Sequence, residues 1–135
     1  MTRHLTLEQG LRIARIAVGG PIQVRDLGML EAALMRPQTS LFGQDAYPDL
    51  LGKAAALLHS IVTNHPFVDG NKRAGWLATY VFLAKNGVEL DPADDDVAYD
   101  LVIAVASGKL TEVNEIADGL RAFTAPDVPP KGMPT

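Results

Sequence analysis

Six residues in one short stretch carry the side chains that a phosphate-handling site needs: His65, Asp69, Gly70, Asn71, Lys72 and Arg73. Histidine is the side chain whose chemistry suits proton exchange at neutral pH, so His65 is a candidate general base taking a proton from an incoming hydroxyl. Asp69 is an oxygen ligand of the kind Mg²⁺ takes, usually beside substrate phosphates and water. Asn71 can donate an amide N–H to a phosphate oxygen or help cap a helix. Lys72 and Arg73 would offset phosphate charge, the first as a point charge and the second as a planar fork. Gly70 lets the backbone approach a ligand closely. A base, a metal ligand, backbone donors and cations are the parts of phosphoryl transfer.

The local structure expected around these residues supports a site. Pro66 and Gly70 argue against a continuous helix through residues 65–70. From Asn71 the pattern turns helical, with Ala74, Leu77, Ala78, Val81 and Phe82 on one face. Trp76, Tyr80 and Leu83 extend the apolar surface, as for a helix buried in the middle of a domain. Lys72 and Arg73 then sit at a helix N-terminus, where the macrodipole disfavours cations. Free N–H groups beside two such cations make an anion site. Singly, each of these residues has a structural explanation as turn, cap or solvated face. Phe67 is expected to plug the core, and His4 and His59 to be structural.

The remaining chain must supply helices to position this loop. Thr6 and Gln9 form a capping-box pattern before Leu7, Leu11, Ala14 and Val18, and Gly19-Gly20-Pro21 ends that helix. Asp26 can cap a second helix with Leu27, Leu30 and Leu34 inward and Pro37 after its end. Residues 36–48, punctuated by Pro37, Gly43 and Pro48, read as a loop or small hairpin flap. Asp49 to Asn64 is helical, with Leu50, Ala54, Leu57, Leu58 and Ile61 inward, and Asn86-Gly87 stops the helix that follows the loop. Asp94-Asp95-Asp96 is an acidic start for a helix through Val97, Leu101, Ala104 and Val105, ending near Gly108. Thr111 opens a last helix with Val113, Ile116, Ala117 and Leu120 inward. The expectation is an all-α bundle of about six helices over residues 1–124. Residues 125–135, rich in proline, read as a flexible tail.

Composition bounds the function classes. A chain of 135 residues suits one domain with a real core, and 47% hydrophobic with 21% charged residues is globular. The absence of cysteine excludes disulfides, thiolate catalysis and Cys-based zinc sites, and fits a reducing cytoplasm. Glu8, Arg12 and Arg15 interrupt any apolar leader, and no apolar run is long enough to span a membrane. A net charge of −4 argues against broad, direct nucleic-acid binding.

The motif also carries a family resemblance. His65-Pro66-Phe67-Val68-Asp69-Gly70-Asn71-x-Arg73 resembles the Fic motif H-P-F-x-[D/E]-G-N-G-R-x-x-R, with Lys72 in place of glycine and Trp76 in place of the second arginine. Lysine at the first of these positions, in H-x-F-x-D-x-N-K-R, is the pattern of the Doc ("death on curing") toxin branch. Arg36-Pro37, Phe42-Gly43-Gln44, Tyr47-Pro48 and Asn86-Gly87 also look Doc-like, so the resemblance spans roughly residues 5–122.

The resemblance implies a bacterial cytoplasmic toxin of the Fic/Doc fold, with His65 as base, Asp69 on Mg²⁺ and Gly70, Asn71, Lys72 and Arg73 at the nucleotide. Fic enzymes transfer AMP from ATP to a protein hydroxyl, whereas Doc-type proteins hand over the γ-phosphate to a threonine of elongation factor Tu and halt translation. Lys72 and Trp76 favour the kinase. AMP transfer is the alternative, and a catalytically idle nucleotide- or partner-binding domain the second. Many Fic proteins silence themselves with a helix of pattern [S/T]-x-x-x-E-[G/N]; here Thr111-x-x-x-Glu115 is followed by Ile116. Inhibition in trans by a Phd-like antitoxin is therefore implied.

Overall fold

The computed structural model describes residues 1–91 and 95–124. Six helices follow in order: α1 (Leu7–Val18), α2 (Leu27–Met35), α3 (Leu50–Asn64), α4 (Asn71–Lys85), α5 (Asp95–Ala106) and α6 (Val113–Arg121). A 3-10 turn, Arg36–Gln38, leads from α2 into a hairpin of β1 (Ser40–Leu41) and β2 (Gln44–Asp45). The strands are antiparallel, with Ser40 opposite Asp45 and Leu41 opposite Gln44. The fold is the expected all-α bundle with its flap. Asp94 and the tail at residues 125–135 lie outside the described residues.

Local signals set most boundaries. The Thr6 hydroxyl accepts from Gln9 N–H while the Gln9 side chain accepts from Thr6 N–H, a complete capping box. Gly19, at φ 78°, closes the same helix in the left-handed conformation. Asp26 caps α2 by accepting from Met29 N–H at 3.0 Å. Asn86 and Gly87 close α4, with Gly87 N–H on Ala84 O and Val88 N–H on Leu83 O. The Asn86 side chain also pins the N-terminal segment, accepting from Arg3 N–H and donating to Arg3 O.

The helix at the centre is α3 rather than α4. It packs against α2, the 3-10 turn, α4, α5 and α6. All residues from Gly52 to Leu58 are buried, because small side chains (Gly52, Ala54, Ala55, Ala56) let neighbours approach from every side. Helix α4 is more one-sided: Ala74, Gly75, Ala78, Thr79, Phe82 and Leu83 are buried while Trp76, Leu77, Tyr80 and Val81 are half-buried. Gly75 sets the α3–α4 approach, since a Cβ there would lie 2.7 Å from Val62 Cγ1. The expected core position Leu27 is instead exposed (47%), and so is Val97 (46%) in the apolar row of α5. Each lies in the first turn of its helix, before the helix meets its neighbours; Leu30 and Leu34 in α2, and Val102 and Val105 in α5, take the burial. No helix among the described residues is long and apolar enough to cross a membrane.

Two polar devices fasten the flap. Lys53, on α3, reaches Asp45 at 3.2 Å and the Tyr47 carbonyl. Arg36 donates through Nε to the Tyr47 hydroxyl and through Nη1 to Ser60 Oγ (3.0 Å), Ala56 O (3.3 Å) and His59 Nδ1 (2.7 Å). Accepting from a guanidinium requires a bare Nδ1 lone pair, so His59 is neutral. Burial first, and Arg36 second, hold its pKa below the ordinary 6.5. His4 is lowered as well, by burial and then Lys53, with Asp45 opposing.

A depressed imidazole pKa means that the unfolded chain binds more protons in the window below about 6.5. The contribution of these histidines is therefore whole above that pH and lost as pH falls through it. Denaturant titrations at a series of pH values should show stability dropping below about pH 6.5. His59→Asn, which keeps an acceptor for Arg36 without titrating, should flatten that drop; an unchanged slope would remove His59 from the account.

Candidate functional site

Helix α3 ends at Asn64 because Pro66 disfavours helical geometry in the residue before it. His65 adopts φ 52° and ψ 60°, the left-handed conformation; Phe42 is the only other described non-glycine residue with positive φ. That geometry costs an L-residue about 1–2 kcal/mol. Strain of this kind persists only where the surroundings impose it. Here they come from the segment between α1 and α2. Pro66 O accepts from Arg25 N–H (2.7 Å) and Asp26 N–H (3.0 Å), and Val68 N–H donates to Gln23 O. Val24 and Phe67 form an isolated antiparallel bridge. The Arg25 guanidinium donates to Asn64 O and His65 O, each at 2.7 Å.

Phe67 is 1% exposed and plugs the core beneath the loop, as expected. Asn71 reaches back to it: Phe67 N–H donates to Asn71 Oδ1 (3.0 Å) and Asn71 Nδ2 donates to Phe67 O (2.9 Å). Both ends of the buried amide are thus committed to the loop. The backbone N–H of Asn71 lies at the start of α4. The two bonds make a specific prediction. Asn71→Asp removes the donor and sets a carboxylate against the Phe67 carbonyl, so stability should fall by roughly 1–3 kcal/mol. Urea unfolding at neutral pH checks this; an unchanged midpoint would show that the clamp contributes nothing.

Asp69 is exposed, and its Oδ1 accepts from Gly70 N–H at 2.8 Å. Gly70 has φ 80° and leads into α4; a Cβ there would collide with Val18 Cγ1. The glycine is thus required by backbone conformation and by contact with α1, beyond any approach to a ligand. Helix α4 has no side-chain cap and no acidic residue in its first turn. The first main-chain bond runs from Ala74 N–H to Gly70 O, so the N–H groups of Asn71, Lys72 and Arg73 remain available. Lys72 and Arg73 are both exposed. The one ion pair among the described residues, Lys53–Asp45, is elsewhere.

All six residues expected at the site line one cavity of about 400 Å³, together with Val68 and Tyr99. Tyr99, contributed by α5 and 65% exposed, is the member missed from sequence. An aromatic ring on a face otherwise carrying Asp95, Asp96 and Asp100 was the available signal. A more apolar cavity of about 360 Å³ adjoins it, sharing Lys72, Arg73 and Tyr99 and adding Trp76, Leu77 and Val102. The pair has the size and mixed polarity of a small-molecule cleft. His4 and His59 are outside it, and His59 lines a separate hollow with Arg36. No cluster of three or more His, Asp or Glu able to hold a metal occurs among the described residues. A divalent ion here would need ligand phosphates to complete its shell, as Mg²⁺ commonly does.

Comparison with known proteins adds an independent line. A family model described as the Fic/DOC family matches residues 4–83. The chain is 49% identical over 127 residues to "Toxin Doc" of Mycolicibacterium smegmatis, covering 93% of this chain and 96% of that protein. It is 32% identical over 122 residues to "Protein kinase doc" of Escherichia phage P1, covering 88% and 94% respectively.

Proposed function

Since the chain belongs to the Fic/DOC family, we propose that it is a toxin kinase that transfers the γ-phosphate of ATP to a Thr or Ser hydroxyl of a translation factor. One observation carries the reading: a strained histidine and an uncapped helix N-terminus bearing two cations line the same cavity. His65 takes the hydroxyl proton as that oxygen attacks the γ-phosphorus. The new O–P bond forms, the bond to the β,γ-bridging oxygen breaks, and ADP leaves with the electron pair. Lys72, Arg73 and the first N–H groups of α4 bind the charge spread over the phosphate oxygens. Asp69, with one carboxylate oxygen engaged by Gly70 N–H, keeps the other for Mg²⁺. When bound, that ion would neutralise phosphate charge.

Two features support phosphate over AMP transfer. One relative is named a protein kinase. Lys72 also lines the cavity where the resembled AMP-transferases have glycine, which puts a side chain and a charge into their anion hole. Following the same resemblance, the target is a threonine of elongation factor Tu and the inhibitor a Phd-like antitoxin.

The test supplies purified protein, Mg²⁺ and bacterial lysate with ATP labelled at the α- or the γ-phosphate. Label from the γ-position alone, on a protein band absent with His65→Ala, is the expected result. Transfer of the α-label would mean AMP transfer. No band in either lane, with Mg-ATP binding retained in calorimetry, would favour a binding role.

A further inference from the structure

We propose that Arg25 is the positioning residue that holds His65 in its working orientation, an inference that rests on His65 acting as the base. The imidazole makes no hydrogen bond within the described residues and is exposed. Its direction must therefore come from the backbone, and that backbone occupies a region an L-residue leaves readily. Asparagine or glycine would accept this geometry at lower cost, yet neither could serve as the base.

The guanidinium of Arg25 is placed to prevent that departure. Nε donates to His65 O and Nη2 to Asn64 O, both at 2.7 Å, so one rigid fork spans two successive carbonyls. Both bonds are at the short end for N–H···O and are charge-assisted. Helix α3 has no basic residue in its own last turn, and Arg25 brings a cation to that negative helix end from another part of the chain. Arg25 is itself braced. Its N–H and that of Asp26 share Pro66 O, and the Asp26 side chain caps α2. The start of α2 is thereby joined to the end of α3 across the histidine.

A fork that serves only as a helix cap would alter stability alone. A positioning fork must also alter turnover at constant ATP affinity, because phosphate contacts come from α4 and not from α3. Arg25→Met keeps an apolar stem and removes all donors, and Arg25→Lys keeps the charge but cannot bridge both carbonyls. Initial rates of γ-label transfer to lysate protein are measured against Mg-ATP concentration for both variants, the parent and His65→Ala. Thermal unfolding is recorded for each.

Arg25→Met should lose about 10–100-fold in maximal rate, since misplacement of the order of 1 Å costs that much. The half-saturating ATP concentration should stay within about twofold. Arg25→Lys should recover part of the rate. In the parent, the Arg25 Nε–H should exchange with solvent far more slowly than in free arginine. A folded Arg25→Met with the parental rate overturns the proposal. Free-arginine exchange in the parent does the same. If Arg25→Met does not fold, Arg25→Lys and the exchange rate decide. Full transfer by His65→Ala would instead overturn the base assignment on which the proposal stands.

Discussion

His65→Ala is expected to abolish transfer while leaving the fold close to its parental stability. The side chain is exposed and has no hydrogen-bond partner among the described residues, so no packing is lost with it. A positioned general base contributes about 10²–10⁴-fold, which sets the size of the loss. The backbone at residue 65 has φ 52°, where alanine is no better accommodated than histidine. His65→Asn is therefore a useful companion, because asparagine tolerates left-handed geometry and cannot act as a base near neutral pH. Both variants should be inactive in label transfer and as growth inhibitors, with cooperative unfolding near the parental midpoint. Activity surviving in either would assign the proton to another group.

Phe67→Ala should give the largest loss of stability near the site. Truncating a fully buried phenylalanine typically costs about 3–5 kcal/mol, through lost transfer energy and the cavity left behind. For a domain of this size that is a fall in melting temperature of roughly 10–20 °C. The position is also held from two directions, by the Asn71 amide and by the bridge to Val24, so the cavity cannot close by moving the loop alone. Activity should fall further than stability, because His65 and Asp69 lie two residues to either side of the plug. Phe67→Leu, which restores most of the volume, should recover much of both. Differential scanning calorimetry decides the matter, and a melting point within about 3 °C of the parent would mean the loop is not anchored through this ring.

Much of this architecture was legible because its determinants are local. Thr6 with Gln9, Asp26, Gly19 and Asn86-Gly87 act on neighbours a few residues away, and each does in the structure what its type suggests. The candidate site was legible as a cluster for the same reason: every residue lining its cavity except Tyr99 falls between His65 and Arg73. What stayed hidden depends on contacts between distant segments. Nothing in the sequence shows that Arg25 meets Asn64 and His65, or that Val24 pairs with Phe67. The exposure of Leu27 and Val97 was hidden too, because periodicity finds a helix's apolar face but not where a neighbour begins to cover it. The Asn71 side chain pairs with Phe67 through both its oxygen and its nitrogen, a partner that only the folded loop brings within reach.

The pairing of residues 23–26 with residues 64–68 has a consequence for how the protein comes to be active. Helices α3 and α4 and the turn between them contain nearly every group of the site, and short-range contacts of this kind form early. The bonds from Gln23, Arg25 and Asp26 close a loop of some forty residues, and that closure carries an entropic cost which local structure does not offset. A chain with the helical hairpin made but this docking pending would carry the complete motif and lack the contacts that hold the backbone at His65. If His65 is the base, transfer would require this docking as well as the helical hairpin.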